Sequence, residues 1–173
     1  MQKQYILCIG GETSPLHFFY DINRRHYVSS PSIMQENILH TVYLSLGSNL
    51  GDRHAAMCRA ISLINDEVGT VDRKSSPHET EPWGFESNNM FLNMCIRVLT
   101  SLSPEQVLDT TQDIERRMGR MSKSVDGQYH DRPIDIDILM YDDLHISTPR
   151  LTLPHPLMHE RDFVMVPLRE ILS

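Results

Sequence analysis

Apolar and acidic residues alternate strictly from Ile134 to Ile138, where Asp135 and Asp137 stand between three isoleucines. A period of two residues is typical of a β-strand with one buried face. The isoleucines are therefore predicted to face a core, and the two aspartates to share the opposite face. Residues i and i+2 of a strand lie about 6.6 Å apart along its axis. The two carboxylates can thus hold one hard cation, or two adjacent ones.

Strands and helices are also predicted along the rest of the chain from residue 41 onward. β-branched and aromatic runs indicate strands, and apolar residues at helical spacing indicate amphipathic helices. Ser103 and Gln106 form a capping box that begins one of these helices, with Pro104 at its first position. The other predicted strands are 41–46, 70–80, 91–100 and 145–146, and the predicted helices are 53–65, 104–118 and 164–172.

The predicted strand at 91–100 carries a possible recognition face. Leu92, Met94 and the apolar residues that follow at every second position form a core face, so Phe91 and Asn93 lie together on the opposite face. An aromatic ring beside an amide can recognise a planar heterocycle by stacking and by hydrogen bonds to its edge. The alternative is an ordinary half-exposed strand face. Trp83, in the polar loop before this strand, is either part of a local clamp or part of a lid over a flat ligand.

Residues 1–40 differ from the rest of the chain. Proline, serine and glycine interrupt each short apolar patch there, and no helix or strand period persists. We expect a loosely ordered extension, or a start codon assigned too early, since Met34 offers a second start. A partner-binding tail is the alternative. The predicted domains are therefore an extension at 1–40 and a folded domain at 41–173.

Composition narrows the classes of function. The net charge of −7 disfavours broad nucleic-acid binding, which needs a basic surface. The three cysteines are scattered without metal-type spacing, which favours a reducing, cytoplasmic compartment. No apolar run reaches the ~20 residues that a membrane span requires. We therefore expect a cytoplasmic protein without a nucleic-acid or membrane partner.

The acidic strand also has a basic neighbour. Acidic residues are poor strand formers, and like charges on one strand face repel each other. Mg²⁺ would compensate them, since it takes oxygen ligands and often binds one or two protein carboxylates plus substrate phosphates. Arg132 precedes the strand, and an anion-binding group beside a cation site favours a phosphate ligand. The alternative is a solvated acidic strand face.

Four further observations concern the segments Leu46–Arg53, Phe91–Asn93, Arg132–Ile138 and Arg150–Pro156. Together, these segments resemble the 6-hydroxymethyl-7,8-dihydropterin pyrophosphokinases of folate biosynthesis. The resemblance covers about residues 41–170 and implies an α+β fold, a ferredoxin-like antiparallel sheet with helices packed mainly on one side. It also implies a monomer that acts on small-molecule substrates.

The resemblance also implies an activity, which is transfer of a diphosphate from ATP to the pterin hydroxymethyl group with release of AMP. Asp135 and Asp137 would hold two Mg²⁺ ions, and Arg120 and Arg132 would join them in catalysis. The implied ATP contacts are Gln112, Glu115, Lys123, Arg132, Ile138, Arg150, Thr152, His155 and Arg161. The implied pterin contacts are Thr80, Trp83, Phe91, Asn93 and Phe163, with the two phenylalanines sandwiching the ring.

The sequence departs from this family in a few places. Phe91 stands where a tyrosine can occur, Ser122 stands where some members carry an arginine, and the loop after Lys123 is slightly longer. The extension before residue 41 has no counterpart. Two other classes of function remain open at this point. One is a nucleotidyl- or glycosyltransferase with an Asp-x-Asp metal site, and the other is a non-catalytic binding module with an acidic strand face.

Overall fold

The computed structural model describes residues 38–120 and 130–172. The predicted extension at 1–40 thus lies almost entirely outside the described residues, and the domain boundary stays a prediction. The described chain forms strands β1 (His40–Ser48), β2 (Thr70–Lys74), β3 (His78–Thr80), β4 (Phe91–Thr100), β5 (Asp135–Tyr141), β6 (Ile146–Ser147) and β7 (Thr152–Leu153), helices α1 (Arg53–Glu67), α2 (Pro104–Arg117) and α3 (Asp162–Ile171), and a 3₁₀ turn (Met158–Glu160).

The main sheet is antiparallel and has the strand order β2-β4-β1-β5. Strand β4 is long enough to pair with β2 along one half and with β3 along the other. Helix α1 connects β1 to β2, and α2 connects β4 to β5, so the order of elements is that of a ferredoxin-like fold. The predicted fold class is therefore confirmed. Strands β6 and β7 form a separate two-stranded sheet.

Side chains at the starts of α1 and α2 bind the helix backbone. The Asp52 carboxylate accepts a hydrogen bond from Ala55 N at 2.9 Å and caps α1. At the start of α2, Ser103 Oγ accepts from Gln106 N, and Gln106 Oε1 accepts from Ser103 N. This reciprocal pair is the predicted capping box. Each cap satisfies backbone donors that a helix start otherwise leaves unpaired.

Helices α1 and α2 cover one face of the sheet. The main hydrophobic core lies between them and the sheet and includes Ile64 of α1 and Ile114 of α2. The isoleucines of the alternating segment enter this core, as predicted: Ile134, Ile136 and Ile138 are at most 5% exposed. Among the described residues, no helix is long and apolar enough to cross a membrane.

Helix α3 packs on the opposite face of the sheet, where Val164 and Leu168 contact a second cluster with Cys95 and Leu139. This contact buries the face of β4 that a half-exposed strand would present to solvent: Asn93 is 4% exposed and Cys95 is fully buried. The half-exposed alternative for this face is therefore wrong. The helices still lie mainly on one side, since two of the three pack against the other face.

The segment predicted as one strand at 70–80 is two strands with a break at 75–77. Pro77 lies in the break and has no N–H with which to continue a ladder. Ser75 nevertheless stays close to β4, since its N–H donates to Cys95 O at 2.9 Å and its hydroxyl accepts from Cys95 N. The break lets β3 pair with the beginning of β4, beside Phe91 and Asn93.

Gly69, between α1 and β2, is expected to tolerate no side chain. A Cβ atom at this position would lie 2.2 Å from Leu99 O, and the residue has φ +156°. Gly69→Ala should therefore lower the free energy of unfolding by about 3 kcal/mol, the upper range for overpacking. Urea denaturation measures this loss. Gly51→Ala is the matched control, because Gly51 has φ +64° but open space around it, and only the conformational penalty of ~1 kcal/mol is expected there. Equal losses in the two variants would contradict the steric argument.

Candidate active site

A pocket opens on the α3 side of the sheet, where the end of β1 meets the beginnings of β4 and β5. Antiparallel pairing places these three strand segments side by side, so residues far apart in the sequence meet there. The loop between β3 and β4 and the segment around α3 complete its walls. The lining residues are Ser45, Gly47, Thr80, Glu81, Trp83, Phe85, Phe91, Asn93, Arg120, Arg132, Asp135, Asp137, His155, Arg161 and Phe163.

Gly47 forms part of the pocket floor. It is paired with Asn93 of β4 on one side and with Asp135 of β5 on the other. A Cβ atom on Gly47 would lie 2.9 Å from Asn93 Oδ1, so only glycine leaves room for the amide. The predicted strand ends at residue 46, and this role of Gly47 was not predicted. The available signal was a glycine at the end of a strand pattern, which often marks a close approach.

The two aspartates of β5 both line the pocket, as the alternation predicts, but their surroundings differ. Asp135 forms ion pairs with Arg120 Nη1 and, at 2.8 Å, with Arg132 Nη2. Asp137 lies 3.9 Å from Arg161 Nη1. Its side chain is 42% exposed to the solvent of the pocket. Desolvation by the surrounding pocket, followed by the negative charge of Asp135, raises the pKa of Asp137 to about 6. A cation bound there would relieve both effects.

Three arginines bring positive charge to the pocket from three different elements. Arg120 follows α2, Arg132 precedes β5, and Arg161 precedes α3. Arg161 is 7% exposed, and its guanidinium lies 4.6 Å from the ring centroid of Trp83 and 5.8 Å from that of Phe163. The Arg132 guanidinium lies 5.3 Å from the Phe91 ring centroid. Cations in such positions are attracted by the ring faces and can also bind phosphate oxygens.

His155 joins this group from the segment after β7. Its backbone N–H donates to Leu139 O at 2.9 Å, and its ring Nδ1 accepts a hydrogen bond from Leu157 N at 3.3 Å. Burial, and then the charge of Arg161, lower the pKa of the imidazole below its usual value. The ring is therefore neutral near pH 7. Because Nδ1 accepts a hydrogen bond, the proton of the neutral ring resides on Nε2.

Aromatic rings and one amide line the other side of the pocket. Asn93 Nδ2 donates to Thr80 Oγ1 at 2.8 Å, which fixes the orientation of the amide. Phe85 meets the Phe91 ring edge-on with centroids 6.1 Å apart. Trp83 lies 6.3 Å from Phe163. Of these residues, Phe85 was not selected from the sequence, although it shares a loop with Trp83.

The structure thus gathers eleven of the predicted site residues in one place: Thr80, Trp83, Phe91, Asn93, Arg120, Arg132, Asp135, Asp137, His155, Arg161 and Phe163.

Other predicted site residues do not line this pocket. The Ile138 side chain is in the core, and Arg150 pairs with Asp109 on the surface at 2.5 Å. Gln112 and Thr152 lie outside the lining set, and Lys123 and Ser122 fall outside the described residues.

Glu115 is placed beneath the pocket rather than in its wall. The residue is 2% exposed, and its carboxylate forms an ion pair with Arg120 and accepts a hydrogen bond from Ile136 N at 2.7 Å. The N–H that it binds belongs to the residue between the two aspartates of β5. Glu115 therefore connects α2 to the centre of the acidic segment and to an arginine of the pocket.

Together these features define an α+β domain whose pocket is suited to an anionic ligand next to a flat ring. The family model for "7,8-dihydro-6-hydroxymethylpterin-pyrophosphokinase" matches residues 43–173. The chain belongs to this family.

Curated relatives agree with the family model. The chain is 50% identical over 131 residues to a 2-amino-4-hydroxy-6-hydroxymethyldihydropteridine pyrophosphokinase from Porphyromonas gingivalis, a match that covers 75% of this chain and 89% of the relative. It is 42% identical over 130 residues to the Bacillus subtilis protein of the same name, covering 75% and 76% of the two chains. The mitochondrial folate synthesis bifunctional protein of Arabidopsis thaliana is 37% identical, and the match covers 84% of this chain but 26% of that longer protein.

Solved structures support the fold. A crystal structure of a Plasmodium falciparum HPPK-DHPS superposes with a TM-score of 0.64 at 16% identity. The match covers 80% of this chain and 43% of that chain, so the present chain spans less than half of the solved protein. At this identity the likeness concerns the fold alone.

Proposed function

We propose that this protein transfers a diphosphate group from ATP to the hydroxymethyl group of 6-hydroxymethyl-7,8-dihydropterin, with release of AMP, as a step of folate biosynthesis. The main observation behind the proposal is that one pocket combines a charged half with an aromatic half. Asp135 and Asp137 stand with arginines on one side, and an oriented amide stands with aromatic rings on the other. Family membership of residues 43–173 supports the same reaction.

The aromatic half suits the pterin. Phe91 and Phe163 offer ring faces for stacking on the planar bicyclic ring of the pterin, and Trp83 extends this surface. Asn93 supplies both an acceptor and a donor for the polar edge of the ring, and its hydrogen bond to Thr80 orients the amide before the ligand arrives. Preorganisation of this kind reduces the entropy that binding costs.

The cationic half suits the ATP phosphates. Arg120, Arg132 and Arg161 present guanidinium groups that bind phosphate oxygens in a fork geometry, and neutral His155 adds a donor. Arg120 and Arg132 pair with Asp135 in the structure, so both would have to exchange or share this partner when a phosphate binds. Further predicted ATP contacts, outside the pocket lining or the described residues, are Gln112, Lys123, Ile138, Arg150 and Thr152. Glu115 would act through Arg120 rather than by contact with ATP.

The donor chemistry of the acidic pair fits Mg²⁺. Asp135 and Asp137 are hard oxygen ligands on one strand face, and Mg²⁺ commonly takes one or two carboxylates and completes its shell with water and substrate phosphates. Among residues 38–120 and 130–172, no group of three or more acidic, histidine or cysteine side chains comes together as a metal cage. A Mg²⁺ site in which substrate oxygens supply part of the ligand shell is consistent with so few protein ligands. Two Mg²⁺ ions bound there would neutralise phosphate charge and align the reacting groups.

In the proposed reaction, the pterin hydroxyl oxygen attacks the β-phosphorus of ATP and loses its proton to water. The bond between the β-phosphorus and the α–β bridging oxygen breaks, and AMP leaves with that oxygen. The role of the pocket residues is to hold the two substrates in line and to balance the charge on the transferred group. Arg120 and Arg132 lie beside Asp135, where that charge would be.

A product assay tests the proposal. The protein is incubated with magnesium ATP and 6-hydroxymethyl-7,8-dihydropterin, and the nucleotides are separated by chromatography. We expect AMP to form in an amount equal to the pterin diphosphate, and only when pterin is present. ADP as the product would mean transfer of a single phosphate, and pyrophosphate release would mean nucleotidyl transfer. Either result would overturn the proposal.

We further propose that the enzyme is a cytoplasmic monomer in which residues 41–173 are the catalytic domain and 1–40 an extension. The scattered cysteines and the negative net charge support a reducing compartment and small-molecule substrates. Size-exclusion chromatography with light scattering measures the oligomeric state. Activity of a chain that begins at Met34 would support the domain assignment.

A further inference from the structure

A polar junction next to the pocket residue Arg132 connects three segments of the chain through Asp131. One carboxylate oxygen of Asp131 accepts a hydrogen bond from Asn49 Nδ2 at 2.6 Å, and the other accepts from Asn89 Nδ2 at 2.6 Å. Hydrogen bonds to Asp131, above all from Ser87, hold the pKa of its carboxyl below the usual value. Asp131 is therefore ionised at neutral pH and binds donors from two different loops.

Asn49 completes the junction from the other direction. Its Oδ1 accepts from Arg132 N at 2.8 Å, and its own N–H donates to Arg132 O at 3.2 Å. The Asn49 side chain is also 3% exposed. The turn after β1 thus holds the backbone of Arg132 on both sides while it binds the carboxylate of the preceding residue. This arrangement leaves the Arg132 backbone little freedom to move relative to β1.

The loop at 81–90 is fixed at its far end by the same junction. Asn89 and Ser87 bind Asp131, and Met90 O accepts from Arg53 Nη1 at 2.8 Å. The near part of this loop carries Trp83 and Phe85, which line the pocket. Movement of Asp131 would therefore displace the aromatic half of the pocket through the loop. It would displace the cationic half through Arg132.

We propose that Asn49 and Asp131 are positioning residues that couple the aromatic half of the pocket to its cationic half. Neither side chain is among those that line the pocket, so each acts through others: Asp131 through the 81–90 loop, and Asn49 through Arg132. This inference rests on the proposed function for its kinetic consequences, but its structural content can be tested without turnover.

Trp83 provides that independent test, because it is the only tryptophan in the chain. Its indole is 38% exposed and stacks with the guanidinium of Arg161. In Asp131→Ala the loop loses its anchor, and we expect acrylamide to quench Trp83 fluorescence about twofold more efficiently than in the unmodified protein, as more of the ring meets solvent. In the assay with magnesium ATP, the KM for pterin should rise about tenfold with a smaller change in kcat, because binding of the ring is weakened.

Asp142→Asn is the control for a junction outside the pocket. Asp142 also joins two segments, since it accepts from Thr41 N and pairs with His40 Nδ1, both at 2.7 Å, but it lies at the other end of the sheet. This variant should keep normal quenching and a normal KM. Asn49→Ala combined with Asp131→Ala should raise the KM further than Asp131→Ala alone, because the second change also removes the acceptor of Arg132 N.

Unchanged Trp83 quenching and unchanged KM in folded Asp131→Ala would overturn the inference. Equal effects of Asp131→Ala and Asp142→Asn would also overturn it, since they would show general loosening of the fold. Should Asp131→Ala not fold, Asp131→Asn keeps the shape of the side chain and removes its charge, and the same comparison applies. Absence of AMP formation by the unmodified protein would contradict the proposed function alone, and the quenching experiment would still decide on the junction.

Discussion

Asp137→Asn is expected to abolish diphosphate transfer while the protein stays folded. The asparagine keeps the shape of the side chain but offers one neutral oxygen in place of a carboxylate. Mg²⁺ would lose a charged ligand, and the phosphate charge would lose its neutralisation. The rate of AMP formation should fall about 10³-fold, the size of loss expected when one stabiliser of transition-state charge is removed. Single-turnover measurements at saturating substrates would measure the chemical step directly.

Asp143→Asn is the control for this change. Asp143 is exposed in the turn after β5, six residues along the chain from Asp137, and is not a pocket residue. The variant makes the same chemical change outside the pocket and should keep full activity. Full activity of Asp137→Asn would show that the acidic pair is only a solvated strand face, the alternative that the sequence left open.

Because the pKa of Asp137 is raised, Asp137→Asn should also change the pH dependence of the protein's stability. The folded-state pKa of about 6 exceeds the ordinary value of 3.8, so the folded protein binds this proton more tightly than the unfolded chain does. The contribution of Asp137 to stability is therefore present at low pH and is lost as the pH rises from about 4 through 6. Without Mg²⁺, Asp137→Asn should melt at a higher temperature than the unmodified protein at pH 7.5, and the difference should shrink at pH 5. Thermal denaturation in a chelator measures both values, and a difference that grows at pH 5 would contradict the electrostatic assignment.

Local patterns predicted much of the fold. The alternation at 134–138 identified the core face of β5, and the capping box located the start of α2, because both features depend on neighbours in sequence. The break at 75–77 and the burial of Asn93 were not predicted. Both depend on contacts made across the sheet: Ser75 meets Cys95 of β4, and α3 covers the face on which Asn93 lies. A period of two in one strand gives no information on whether a helix packs on its second face.

The candidate site was predictable where residue type alone indicates chemistry. Paired carboxylates, Arg132 and an amide beside a ring stood out in the sequence, and the structure gathers them in one pocket. The other predicted residues of this pocket followed from the family resemblance. Gly47, Asn49 and Asp131 were missed because their importance comes from position. Gly47 leaves space for the Asn93 amide, and Asn49 and Asp131 bind segments about 80 residues apart in the chain. Such roles become visible only when the strand register is known.

The structural role of Glu115 also became visible only in the folded structure. Replacement of Glu115 is expected to have the largest effect on the stability of the protein. The residue is 2% exposed, and its carboxylate serves both Arg120 and the N–H of Ile136. Glu115→Ala would leave a buried guanidinium with one carboxylate fewer and would remove the acceptor of that N–H. Breaking a buried ion pair by removing one partner typically costs about 3–5 kcal/mol. We therefore expect the free energy of unfolding to fall by about 4 kcal/mol, measured by urea denaturation.

A comparison of two Glu115 variants separates folding from function. Glu115→Gln keeps a carbonyl oxygen for Ile136 N–H and loses only the charge that holds Arg120. It should therefore be more stable than Glu115→Ala, yet its kcat should fall about tenfold because Arg120 is less firmly placed beside Asp135. Glu67→Ala is the control, since Glu67 also forms an ion pair with an arginine, Arg117 at 2.6 Å, but on the surface. An exposed pair of this kind contributes roughly 0–1 kcal/mol, so equal destabilisation by Glu67→Ala and Glu115→Ala would show that burial does not give Glu115 its structural role.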